Sequence, residues 1–306
     1  MNKTAEEQLR ELASKHLGKA GDGTVVKAYV TPTSHDSSLL VPLPRSLNRK
    51  KSGIVDTSFL GYEVWHAYEM SFLLETGMPR TGILRVYFPC MSPNMIESKS
   101  FKLYLNSFDL EKFESARVVE SIIARDLSEA AGGHVFVRFH EASECEGSYT
   151  WPLPEIVLFR NADHCNFNIE KFTEDSSLLE LDEVYENSML TFRTSNLRSN
   201  CEITNQKDTG NCFIMIRGYR KPTFESLTKY IFSFRDSQHF HENTTEIIYN
   251  TLKEMYDPEE LLVANLYNRR GGLDIHSVRA DSLHTLSDFM EGYHDVNVLF
   301  DKTAQQ

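Results

Sequence analysis

The chain has 306 residues, 41% hydrophobic and 25% charged, and carries a formal net charge of −12 from 32 Lys+Arg against 44 Asp+Glu. That is an ordinary globular composition, and no apolar run reaches the roughly 18 residues that a bilayer span needs. The acidic balance repels phosphate backbones, which argues against direct nucleic-acid binding, and the charged start of the chain lacks the apolar stretch of a signal peptide, so a cytoplasmic location is expected.

Thr4 and Glu7 form a capping-box pattern ahead of a helix over residues 4–17, closed by Gly18 and Gly21. Residues 33–57 turn to Ser, Pro, Arg and Lys and are read as extended or loop. Residues 62–74 and 83–88 flank Gly77-Met78-Pro79 as a hairpin. Helices follow over about 99–108 and 110–131, stopped by Gly132-Gly133, and 134–140 reads as a strand.

The second half repeats this order. Residues 184–194 and 212–218 are strand-like, 224–233 and 241–255 helix-like, and 261–267 strand-like. A shift of 126 positions puts Ser100, Tyr104, Ser107 and Phe108 on Ser226, Tyr230, Ser233 and Phe234. Duplication explains this best, and it predicts an α+β chain of two tandem ββααβ(β) units, each an antiparallel sheet under a helical layer. Expected divisions are a lead-in over 1–60, a first unit over 61–165, a second over 166–282 and a tail over 283–306. The halves differ at 195–211, expected to be a long polar loop, where function concentrates.

Four strings are candidates for chemistry. The first runs from Ser199-Asn200-Cys201 to Asp208. A thiolate attacks electron-poor carbon, and a nearby carboxylate can move the proton. A small buried cysteine with a turn-forming aspartate has the same appearance, and spacing alone favours that plainer account. The second is Ile96-Glu97-Ser98-Lys99, opening a helix. Ser98 and Lys99 suit a phosphate at the helix start, Glu97 suits a base edge, and an ordinary capped helix is the commoner meaning. The third, Phe240-His241-Glu242, pairs an imidazole with a carboxylate suited to a nucleobase edge, or is a plain helix start. The fourth, Arg269-Arg270-Gly271-Gly272, lets guanidinium and backbone approach a phosphate together, or is a surface turn. The five cysteines are odd in number and contain no CxxC, and no metal-ligand set is visible, so no metal is expected. Neither GxGxxG nor a P-loop occurs.

Together these strings resemble the long-chain 7-cyano-7-deazaguanine reductases: Glu97 to Phe108, Ser199-Asn200-Cys201 with Asp208, Phe240-His241-Glu242, and Arg269 to Ile275, with Pro44 to Arg49 also similar. The resemblance spans about residues 42–282. It implies the tunnelling fold, a homo-oligomer (commonly a dimer), and NADPH-dependent reduction of a deazapurine nitrile to an aminomethyl group in the queuosine route of tRNA modification. It implies Cys201 as nucleophile forming a thioimide and Asp208 as proton donor. It also implies Ile96, Glu97, Ser98, His241 and Glu242 around the base, and Ser98, Lys99, Arg270 and Gly271 on NADPH. Two alternatives share the fold: a pterin-related zinc enzyme, and a purine- or pterin-binding module without turnover.

Overall fold

Two strands, two helices and a closing strand recur in the order the sequence predicts. The computed structural model describes residues 32–141, 159–202 and 205–290, with Thr4 and Gln8. The expected helix over 4–17 therefore lies almost wholly outside the described residues. The chain forms an α+β structure of two compact units. One comprises the chain to Gly53, Val64–Glu146 and Arg270–Asp274; the other comprises Ile54–Glu63, Gly147–Arg269 and the chain from Ile275.

The first unit holds β1 (Pro42–Pro44), α1 (Arg45–Lys51), most of β2 (Leu60–Leu74), β3 (Pro79–Pro89), β4 (Asn94–Ile96), α2 (Ser98–Asn106), β5 (Lys112–Phe113), α3 (Ala116–Ala131) and β6 (Phe136–Glu141). Its main sheet runs β6-β3-β2, with β1 paired separately to β4. Val119, Ile123, Leu127 and Ala131 recur every four residues on α3 and are fully buried. Gly132, at φ +70°, closes that helix. Trp65 packs on Phe88 and Phe101 with ring centroids 5.2 and 5.3 Å away, which joins sheet to helix.

The second unit holds β7 (Leu181–Asn200), β8 (Lys207–Pro222), α4 (Phe224–Ser233), α5 (His241–Tyr256), β9 (Glu260–Tyr267), most of β10 (Leu273–Ala280) and α6 (Leu283–Met290). Its strands run β10-β9-β8-β7, all antiparallel. Thr223 caps α4 by accepting from Ser226 N at 3.1 Å, and Phe224, Leu227 and Ile231 turn its apolar face inward.

The duplication extends to hydrogen bonds. Ser107 and Ser233 hydroxyls donate to the Tyr104 and Tyr230 carbonyls at 2.5 and 2.7 Å. A string that sequence reading overlooked, Asp-Ser-Ser-Leu-Leu, occurs at 36–40 and again at 175–179. Each copy is a short 3-10 helix with its Asp accepting from the backbone two residues on. The Asp36 and Asp175 amides each donate to Ser107 or Ser233 at 3.2 Å.

Four expectations are corrected. Residues 33–57 are not simply loop: a 3-10 turn, β1 and α1 form there, and Arg45 and Asn48 are buried. Their polar groups serve internal partners such as Ser92 and Met95 rather than water. The second helix starts at Ala116 rather than 110, because Lys112–Phe113 pairs in parallel with β2. The polar stretch 195–211 is mostly strand. A fourth element, β10, went unread because Asp274, His276, Ser277 and Arg279 interrupt its apolar run, although every residue in it is buried.

Candidate active site

Strands β7 and β8 continue almost to their tip. The tip lies beyond the pairs Ser199–Asp208 and Asn200–Lys207. Cys201 opens it, donating its N–H to Gln206 O at 2.7 Å and accepting from Asn205 N at 2.9 Å. Asn205 takes the left-handed conformation at φ +53° that such a turn requires and that Asn tolerates.

The tip is tied to the segment before α5. Asn200 N donates to Ser237 O at 2.8 Å, His239 N to Asn200 O at 3.1 Å, and Gln238 Nε2 to Asn205 Oδ1 at 2.7 Å. Two residues after His239, the helix begins at His241. Cys201 is half-buried while Asp208 and Glu242 are buried. His241 Nε2 lies 3.3 Å from Asp208 Oδ2. Its ring lies flat on that of Tyr267, with centroids 3.7 Å apart and planes 5° from parallel. Its Nδ1 is buried and has no hydrogen-bond partner among the described residues.

In the first unit, Glu97 caps α2, accepting from Lys99 N at 2.9 Å and Ser100 N at 2.6 Å. The amides expected to greet a phosphate are therefore already taken by a carboxylate. Ile96 is buried, Ser98 half-buried and Lys99 exposed. One turn along the helix, Lys102 donates to Gly271 O at 2.5 Å and pairs with Glu69 at 2.9 Å. The Lys99 helix and the Arg270–Gly272 turn are thus joined. Gly271 and Gly272 sit at φ +59° and +81°, and a Cβ on Gly271 would meet nothing nearer than the Lys102 side chain at 3.8 Å. An exposed turn of this kind, with Arg270 and Gly271 outward, admits a phosphate close to backbone.

Residues 31–139 match the protein family described as "Nitrile reductase, 7-cyano-7-deazaguanine-reductase N-term", and residues 223–285 match "QueF-like protein". The chain is 39% identical over 275 residues to the NADPH-dependent 7-cyano-7-deazaguanine reductase of Hahella chejuensis (strain KCTC 2396), spanning 87% of this chain and 93% of that one. It is 36% identical over 254 residues to the protein of the same name from Acinetobacter baumannii (strain SDF), spanning 82% and 90%. The chain belongs to the 7-cyano-7-deazaguanine reductase family.

Seen as a reductase, the chain gathers Cys201, Asp208, His241 and Glu242 in its second unit, and Ile96 to Lys99 with Arg270 and Gly271 in its first. Asp208 is on a strand, opposite Ser199, rather than in a polar loop. Sequence reading missed Tyr267, which carries no signal beyond an aromatic at a strand end. It also missed Lys102, whose place four residues after Ser98 on the signature helix was a usable signal. Cys212 is fully buried on β8 and burial drives its thiol pKa far up, which makes it an inert core residue.

Proposed function

We propose that this reductase converts the nitrile of 7-cyano-7-deazaguanine to an aminomethyl group with NADPH, through a thioimide on Cys201, as a step toward queuosine. The observation that carries the reading is the half-buried Cys201 at the β7–β8 tip, held by the segment that leads into His241, with Asp208 and His241 in contact. Family membership and the relatives' names support the substrate and reductant.

Cys201 Sγ bonds to the nitrile carbon, and its proton passes to the nitrile nitrogen, giving a neutral thioimide. This turns a poorly electrophilic triple bond into a reducible C=N. Asp208, exchanging a proton with His241 Nε2, supplies the proton that the nitrogen takes up as its bond order falls. NADPH, when bound, supplies hydride, twice per turnover. After the first reduction Cys201 departs as the C–S bond breaks, leaving an imine for the second. By family resemblance, Ile96, Glu97, Ser98, His241 and Glu242 are assigned to the base.

The cofactor's chemistry fits the first unit: Lys99, Lys102 and Arg270 are cations suited to its phosphates, beside a glycine turn with room at Gly271. We further infer the tunnelling fold, action on the free base in the cytoplasm, and a homodimer. Among the described residues, the group of three spaced for a metal ion is His66, Asp274 and His276, and Cys201 is not part of it.

Intact mass after incubation with 7-cyano-7-deazaguanine and no NADPH tests the proposal. A gain of one nitrile molecule in wild type and none in Cys201→Ala is expected, with two NADPH oxidised per nitrile in the full reaction. A gain in both proteins, or no gain and no NADPH oxidation in wild type, overturns it.

A further inference from the structure

Asp274 is 2% exposed and lies two residues beyond Gly272. Its Oδ1 is 2.6 Å from His66 Nδ1, and its Oδ2 accepts from the Tyr68 hydroxyl at 2.7 Å. The His66 amide also donates to Oδ1, at 3.3 Å. Arg85 Nε donates to His66 Nε2 at 3.3 Å. A ring nitrogen that accepts carries no proton, so His66 is neutral and its Nδ1–H points at Asp274. A buried carboxylate is tolerable only with donors of this kind around it.

Tyr68 reaches the same turn twice, because its amide donates to Gly272 O at 2.9 Å. Next along β2, Glu69 lies so close that a Cβ on Gly272 would be 2.6 Å from its carboxyl group. Lys102 holds Gly271 O from α2. The Gly271-Gly272 turn is therefore bonded by Tyr68 of β2 and Lys102 of α2, with Glu69 packed against Gly272, and two residues on, Asp274 joins His66 to Tyr68.

We propose that Asp274 is a positioning residue for the NADPH-binding turn, acting through His66 and Tyr68 to fix Arg270 and Gly271 before the cofactor arrives. The inference rests on the cofactor reading above. Two consecutive glycines have the greatest conformational freedom of any dipeptide. An unclamped Gly-Gly turn would lose that freedom on binding a phosphate, at the expense of affinity. Bonded to Tyr68 and Lys102, with Tyr68 in turn held by the buried Asp274, it is ordered already when the protein folds.

The test compares Tyr68→Phe, Asp274→Asn and Arg270→Ala with wild type. NADPH affinity is read by titrating nicotinamide fluorescence, KM and kcat by steady-state kinetics, and the Cys201 adduct by intact mass without NADPH. Tyr68→Phe keeps the ring and removes one hydrogen bond, so it serves even if Asp274→Asn fails to fold. The expected result is an NADPH Kd and KM raised about three- to tenfold by a larger factor than kcat falls, with the adduct formed as in wild type. A raised Kd in Arg270→Ala with a wild-type Kd in Tyr68→Phe and Asp274→Asn overturns the positioning role alone. An unchanged Kd in Arg270→Ala overturns the cofactor reading on which it rests. Equal loss of adduct and cofactor affinity in Tyr68→Phe marks a general structural role and also overturns the inference.

Discussion

His241 Nε2 and Asp208 Oδ2 approach to 3.3 Å from elements 33 positions apart in sequence, a helix start and a strand. The imidazole is wedged between that carboxylate and the flat face of Tyr267, so its orientation is fixed before substrate binds.

Asp208→Asn keeps the shape of this pair and removes the proton carrier. NADPH oxidation should slow by about 10²- to 10⁴-fold, with the melting temperature within a few degrees of wild type. A rate near wild type in stopped-flow or steady-state assays would show that another group delivers the proton.

Cys201→Ala should abolish turnover yet fold normally. The side chain is half-buried, and the hydrogen bonds that Cys201 makes at the hairpin tip use its backbone, so the loss should stay within about 1 kcal/mol. Urea unfolding checks the stability and calorimetry checks that the nitrile base still binds. Residual turnover would remove Cys201 from the mechanism.

Arg279 is fully buried, with Glu63 at ion-pair distance on one side and Glu246 at 2.8 Å on the other. Arg279→Met leaves two buried carboxylates facing each other. A loss of about 3–5 kcal/mol is expected in urea denaturation, and restoring the cluster's original net charge with Glu63→Gln in the same chain should recover part of it.

Asp163 predicts the acid limb of stability. Burial alone would raise its carboxyl pKa, but donors from Ser195, Thr194 and Asn196 outweigh it and hold the group below the usual range. A depressed folded-state pKa contributes stability above the unfolded value of about 3.9, and that contribution is lost as pH falls through the folded value. Stability should therefore decline as pH drops below about 4, and Asp163→Asn should show a shallower decline in thermal melts at pH 3 to 5. An identical slope in both proteins would assign the acid limb to other groups.

Local rules made much of the fold legible. Helix α4 was read to the residue because Thr223 caps it and its apolar spacing is regular. The end of β7 was not, since a register shift between Thr194 and Leu197 breaks the alternation. The polar groups there answer to Asp163, about thirty positions away, and no local window contains that partner. Residues 33–57 misled for the same reason, since Arg49, which looks like a solvated loop residue, in fact donates to Cys90 O at 2.8 Å. The candidate site residues were named by resemblance alone. Spacing could bring neither Asp208 to His241 nor Lys102 to Gly271, because both contacts depend on how strands and helices return.

The shift of 126 that aligns the two units places Thr223 where the first unit has Glu97, and both cap their helices. A helix start asks only for an oxygen that accepts, so a hydroxyl serves the scaffold as well as a carboxylate does. One copy could therefore keep the charge that a ligand needs while the other let it go, and the hairpin tips diverged in the opposite sense. On the function proposed above, the second copy would carry the nucleophile and the first the signature helix, so neither copy repeats the other's chemistry.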